Sequence, residues 1–385
     1  MLRMGIIGIG NMGKGHAKNI LGGNIPGLQL TAVCDTDSDK LAQARGLFGD
    51  SIRYFETPDE FYSNSNLIDA VLIATPHYDH PQLAIRGFEQ GLHVLVEKPA
   101  GVYTKQVREM NDTAEKSGKV FGIMYNQRTN PVYQRVRDLV QSGQLGTMKR
   151  MVWIITDWYR PQAYHDSSDW RSTWALEGGG VLLNQDPHQL DLWQWMVGMP
   201  KRIRSFAYYG KHYDIEVEDD VNVFAEYDNG MLANFITTTG ETPGTNRLEL
   251  SGSMGKLVVE NDKLTFSRNC MDEREFNAKW DAKWENTNWQ ATWSGVMGRP
   301  EVWTCDIPVS TENPQHTGIL KDFVDVIQSG KTSANLLAPG AEGINGLMIS
   351  NAIHLSSWTD QWVQPQNLDE DLFYTMLQDK IRNIK

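Results

Sequence analysis

The chain has 385 residues, 40% of them hydrophobic and 22% charged, enough for two domains with substantial cores. Its 36 basic and 48 acidic residues give a net charge of −12, which repels nucleic-acid phosphates and anionic membrane surfaces, so neither is an expected partner. No stretch reaches the ~20 apolar residues of a membrane span, and a strand signal starting at Leu2 leaves no room for a signal peptide. A cytoplasmic protein is expected, and the scattered Cys34, Cys270 and Cys305 lack metal-ligand spacing or an even disulfide count.

The first apolar run, Leu2 to Ile7, feeds directly into Gly8-Ile9-Gly10-Asn11-Met12-Gly13, and a second run, Leu28 to Cys34, ends at Asp35. This is a complete dinucleotide-binding unit: strand, glycine loop, helix, strand and terminal acid. Gly8 permits the tight turn, Gly10 the approach of a pyrophosphate, and Gly13 close helix packing. The loop residues Gly8, Gly10, Asn11, Met12 and Gly13 are therefore assigned to the cofactor, whose phosphates lie on a helix N-terminus. Asp35 can accept hydrogen bonds from the adenosine ribose, whereas a 2′-phosphate would meet its charge. With Asp37 and Asp39 beside it and no nearby Arg, NAD is preferred over NADP.

Strand signals recur at Ala70–Ala74 and His93–Glu97, with helix signals at Pro81–Gln90 and Lys105–Lys116. This alternation predicts a parallel sheet covered on both faces. After Asn126 the runs Met148–Thr156, Val221–Tyr227, Met231–Thr239 and Lys256–Glu260 predict a second, mostly antiparallel sheet. Residues 268–313 are polar and Trp-rich, and are expected to form an insertion or long loop. A helix is expected from Gly340 to Trp358. The fold class is α/β: a doubly wound Rossmann domain over 1–125, then an α+β domain with an open, mostly antiparallel sheet over 126–385.

Two further motifs carry chemistry. Glu97-Lys98-Pro99 stands at the C-terminal end of a predicted parallel strand, the edge at which such sheets bind ligands. Lys98 there can hold a substrate hydroxyl and stabilise alkoxide-like charge, in contrast to the solvated lysine that is the usual alternative. The second motif runs from Gly178-Gly179-Gly180 through Asn184 and His188 to Asp191. His188 is suited to accept a substrate proton; on spacing alone, a satisfied core histidine explains it equally well.

Together, Gly8-x-Gly10-x-x-Gly13, Glu97-Lys98-Pro99 and the Gly-Gly-Gly to His188 to Asp191 segment resemble the Gfo/Idh/MocA oxidoreductases, over most of the chain from Met4 to about Pro365. The resemblance implies NAD-dependent oxidation of a ring hydroxyl of a sugar or cyclitol, and homodimers or homotetramers assembled through the second sheet. It assigns Lys98 and His188 as catalytic residues, Thr75 and Pro76 to the cofactor-contacting turn, and Glu97 to the nicotinamide ribose. One position departs. Many relatives carry Asp four residues before the histidine, where this chain has Asn184, which can hydrogen-bond but holds no charge; it is assigned to the substrate or to His188. Pro187 offers a different geometry, as the first residue of a helix capped by Asp186, which would leave Asn184 outside and let Asp191 orient the imidazole.

Between the domains, Trp158, Tyr164, Trp170 and Arg171 form an aromatic and polar stretch with Trp174 and His165. Such a mixture suits a sugar, whose carbon face packs on rings while its hydroxyls find polar partners. Arg128, with Asn126 and Gln127, follows a further strand and is assigned to the same cleft, loop capping being the alternative. The expected activity is oxidation of a ring secondary hydroxyl of a sugar, glycoside or cyclitol, with C3 of a glycoside favoured. The rival readings are an NAD-dependent glycosidase acting by transient oxidation and elimination, and a noncatalytic NAD-binding sensor.

Overall fold

The computed structural model describes residues 1–281 and 299–383. Six short strands form the first sheet: β1 (Leu2–Ile7), β2 (Leu28–Cys34), β3 (Arg53–Phe55), β4 (Ala70–Ile73), β5 (His93–Val96) and β6 (Phe121–Ile123). Their order is β3-β2-β1-β4-β5-β6, with every pairing parallel. Central strand β4 is apolar along its whole length because helices cover both faces, and all four of its residues are buried. The chain order reverses between β1 and β4. Ligands of open α/β sheets bind at such a crevice, beyond the carboxyl ends of the strands.

Eight strands form the second sheet. They are β7 (Met148–Ile155), β8 (Arg202–Tyr209), β9 (Glu218–Glu226), β10 (Leu232–Thr238), β11 (Asn246–Gly252), β12 (Gly255–Glu260), β13 (Lys263–Asn269) and β14 (Val302–Ile307). Their order is β14-β13-β12-β11-β7-β10-β9-β8. All pairings are antiparallel except β7 with β10. One face is buried through Met151, Trp153, Ile155, Ala233, Phe235 and Leu250, and Trp193 of the helix Pro187–Val197 stacks on Phe235 with ring centroids 5.5 Å apart. The opposite face exposes Phe206, Tyr208 and Leu232.

Two expectations change. Residues 268–313 are not a plain loop, since β13 runs to Asn269 and Val302–Ile307 pairs with it as an edge strand; Trp284, Trp289 and Trp293 fall outside the described residues. The chain after β14 also returns to the first sheet. Phe323, on the helix Gln315–Gln328, packs at Gly122 of β6, and Gln328 Nε2 donates to the Gly27 carbonyl at 3.2 Å. Among the described residues no helix is long and apolar enough to cross a membrane.

Candidate active site

The glycine loop is shaped by backbone sterics. Gly8 has φ +92°, and a Cβ on Gly13 would lie 1.9 Å from the Gly8 carbonyl oxygen, so a side chain there would separate the helix Asn11–Leu21 from the loop. A Cβ on Gly10 would meet no atom within 4 Å. This helix starts without a side-chain cap or an acidic residue in its first turn, leaving the amides at Asn11 and Met12 for an anion. Clearance and donors fit a pyrophosphate. Asp35 accepts from the Ile9 N–H at 2.7 Å and the Asp37 N–H at 2.9 Å, and each oxygen retains a lone pair for a ribose hydroxyl. Asp37 instead caps the helix Ser38–Phe48 and pairs with Lys40 at 3.2 Å, which reduces the repulsion expected from it. Thr75 and Pro76 follow β4, where the backbone of Ala74 and Thr75 closes on Gly8, and Thr75 Oγ1 is buried without a partner.

At the end of β5, Glu97 is buried between two donors. His16 Nε2 lies 2.7 Å from Oε1, and the Lys98 N–H donates to Oε2 at 3.1 Å. Burial alone would raise the pKa of this carboxyl, but the hydrogen bond and charge of His16, with His316 and Lys98, outweigh it and hold it at about 2. Lys98 Nζ crosses to the second domain and donates to the Asn184 backbone carbonyl at 2.7 Å. Burial lowers its pKa, opposed chiefly by Glu97 and then by Glu177. His188 shares this environment. Burial, then the charge of Lys98, push the imidazole down to about 3, leaving it neutral near pH 7. Its Nδ1 is buried without a partner.

Pro187 begins the helix Pro187–Val197, so Asn184 lies in the preceding turn and not on the helical face of His188. Asp186 stands at the N-cap position, yet its carboxyl makes no capping bond. It is buried, and its pKa is pushed up to about 8, with Thr237 and Trp158 opposing the shift. Asp191 does not orient His188. Its two oxygens accept from Arg128 Nε and Nη2 at 2.8 and 2.7 Å, while Arg128 Nη1 donates to Glu342 at 2.6 Å and to the Leu337 carbonyl at 3.0 Å. Arg128 is 1% exposed and commits four of its five N–H donors to this bridge, which favours the structural alternative to a substrate contact.

Four of the aromatic-stretch residues do come together, His165 meeting Tyr164 edge-on with ring centroids 5.3 Å apart. Arg171 lies over the rings of Tyr164 at 4.5 Å and Trp170 at 4.7 Å and donates to the Tyr164 hydroxyl at 2.7 Å. Trp170 meets His77 edge-on, their ring centroids 5.8 Å apart. Trp158 is set apart, with its indole Nε1 buried near Asp186. Trp174 leaves the group for a cluster with Tyr209, His354 and Trp358.

Sequence reasoning missed His16, His316 and Glu177. His16 and His316 pack edge-on at 5.5 Å, although they are 300 positions apart. Glu177 adjoins the glycine run and was accessible to inspection as an unexplained acid. It is 2% exposed, and its carboxylate accepts from the Asn184 side-chain amide and the Ser172 backbone N–H.

A Rossmann sheet whose carboxyl edge presents a lysine toward a histidine-bearing helix of a second domain built on an open sheet defines a two-domain nucleotide-binding oxidoreductase architecture. Residues 2–125 match the family model described as "Oxidoreductase family, NAD-binding Rossmann fold", and residues 133–258 match the "GFO/IDH/MocA C-terminal domain". The chain belongs to the Gfo/Idh/MocA oxidoreductase family, and its N-terminal domain is the NAD-binding one. It is 29% identical over 197 residues to the rhizopine catabolism protein MocA of Rhizobium meliloti, covering 51% of this chain and 57% of that protein. It is 32% identical over 217 residues to the D-glucoside 3-dehydrogenase of Escherichia coli (strain K12), covering 52% and 55%. The chain thus spans little more than half the length of these relatives. The structure of the WlbA dehydrogenase from Bordetella pertussis, in complex with NADH and UDP-GlcNAcA, shares the fold with a TM-score of 0.75 at 22% identity, over 94% of this chain and 98% of that one.

Proposed function

We propose that this protein is an NAD-dependent dehydrogenase that oxidises a ring secondary hydroxyl of a sugar, glycoside or cyclitol to the ketone, with C3 of a glucoside as the favoured position. The observation that carries the reading is the shared environment of Lys98 and His188 beyond the carboxyl edge of the parallel sheet, alongside the glycine loop. Bound NAD supplies the hydride acceptor. His188, neutral near pH 7, takes the hydroxyl proton. Lys98 holds the oxygen and stabilises the negative charge that grows on it. Tyr164, Trp170 and Arg171 offer ring faces and a fixed cation to the sugar, and the backbone carbonyl of Asn184 accepts from Lys98. The match to a D-glucoside 3-dehydrogenase supports the choice of carbon.

The second sheet presents Phe206, Tyr208 and Leu232, from 40% to 54% exposed, on the face away from its helices. This supports a homodimer or homotetramer assembled through that face, to be measured by light scattering. The reaction is tested by screening methyl glucosides, free hexoses and inositols with NAD while following NADH absorbance. Stoichiometric NADH with a glucoside is the expected outcome. Glycoside cleavage without net NADH would instead identify a glycosidase, and tight NAD binding with no turnover a sensor.

A further inference from the structure

Position 184 carries no charge, yet the site has a carboxylate at its side. We propose that Glu177 is a positioning residue of the active site, which holds the Asn184 turn on which Lys98 docks and supplies from the preceding loop the negative charge that position 184 lacks. The proposal rests on the dehydrogenase reading for its catalytic consequence, but its geometry stands independently.

Three features carry it. The first is connectivity: the Asn184 side-chain amide donates to one Glu177 oxygen, while the backbone carbonyl of the same Asn184 accepts from Lys98 Nζ at 2.7 Å. One residue therefore links the carboxylate to the lysine. Second, both Glu177 oxygens accept from N–H donors, the other being Ser172. Two such donors favour a carboxylate over a carboxylic acid, against the burial that raises its pKa. Third, Glu177 is anchored on both sides of the cleft. Its backbone carbonyl accepts from His77 Nδ1 at 2.9 Å, in the turn that follows Thr75 and Pro76. Its carboxylate meets the N–H of Ser172, which adopts φ +58°, a left-handed conformation unfavourable for a non-glycine residue that the surrounding contacts must hold.

Lys98 is faced by Glu97 on its own strand end, by Glu177, Arg171 and Asp186 from the second domain, and by the imidazoles of His188, His77 and His316. Of the carboxylates, Glu97 is already committed to His16. Burial pushes the Asp186 carboxyl up to about 8, so near pH 7 it is largely protonated, and Glu177 is thus the removable charge in this set. Its neutral isostere should leave the ammonium of Lys98 less stabilised, so that Lys98 loses its proton at lower pH.

The test uses the full chain labelled with 15N-lysine, with the Lys98 signal assigned by its loss in Lys98→Arg. In Glu177→Gln, Lys98 should titrate at lower pH than in wild type; Glu177→Asp, which keeps the charge, should return it toward the wild-type value. With NAD and a turned-over methyl glucoside, kcat of Glu177→Gln should fall about ten- to a hundredfold while NAD affinity and thermal midpoint stay near wild type. Identical Lys98 titrations in wild type and Glu177→Gln would overturn the proposal. Absence of turnover in wild type would count against the dehydrogenase reading alone, because the titration needs no substrate.

Discussion

Lys98 Nζ, at the end of the fifth parallel strand, donates at 2.7 Å to the main-chain carbonyl of Asn184, 86 residues further along the chain. This bond joins the nucleotide-binding sheet to the turn that leads into the helix carrying His188. Because the acceptor is backbone, the docking does not depend on the identity of the side chain at 184. The amide of Asn184 remains available to Glu177, and the lysine keeps two donors for a substrate oxygen.

Lys98→Ala and His188→Ala should each abolish most turnover without disturbing the cofactor cradle. A positioned general acid/base contributes about 10²- to 10⁴-fold, so a kcat loss of that size with unchanged NAD affinity by calorimetry is expected for His188→Ala. The loss for Lys98→Ala should be at least as large, since orientation and charge stabilisation disappear together. Wild-type turnover in His188→Ala would return the imidazole to a packing role.

Asp35 is expected to carry the cofactor preference. Its carboxylate is fixed by the Ile9 and Asp37 amides, where the adenosine ribose is expected. Asp35→Ser should narrow or reverse the ratio of kcat/KM for NAD over NADP. A wild-type protein that uses both cofactors equally would contradict the electrostatic argument.

Arg128 is expected to matter for stability and not for substrate affinity. Replacing it with Met leaves Asp191, 1% exposed, as an uncompensated buried charge, a loss of about 3 to 5 kcal/mol. Urea unfolding should show that loss, and Asp191→Leu in the same chain should recover much of it. A raised KM with undiminished stability would restore Arg128 to the substrate cleft.

The folded His188 is held neutral, which makes a statement about acid stability. Its folded pKa, about 3, lies below the ordinary value of 6.5, so between these limits the unfolded chain binds a proton that the folded one refuses. Stability attached to this residue is therefore complete above pH 6.5 and declines as pH falls toward 3. The unfolding free energy of wild type minus that of His188→Asn should fall as pH is lowered from 7 to 4. A difference that stays constant across this range would show that His188 titrates normally.

Most of the architecture was legible from local pattern. The apolar runs at Leu2–Ile7, Leu28–Cys34 and Ala70–Ile73 match observed strands closely, because a strand buried on both faces must be apolar throughout. The glycine loop was equally legible, since Gly8 and Gly13 answer to steric limits set within a few residues. Pro187 marked a helix start because its fixed φ suits the first turn. Strands such as β8 and β14 were missed: each is half-exposed, and their pairing partners, not their own pattern, hold them in the sheet.

The sequence by itself determined the nucleotide-binding unit, the class of each domain and the NAD preference expected from Asp35, and it singled out Lys98 and His188 as candidates for the proposed chemistry. Only the tertiary structure decided which polar groups meet. Arg128 found Asp191 across 63 positions, His16 found Glu97 across 81, and Glu177 reached Asn184 around a turn. Backbone preference and hydrophobic period are imposed by near neighbours, so they are written along the chain. The partner of a buried charge is chosen by whichever segments packing brings within a few ångströms, because an unpaired charge in that environment is costly, and spacing in the sequence carries no record of that choice.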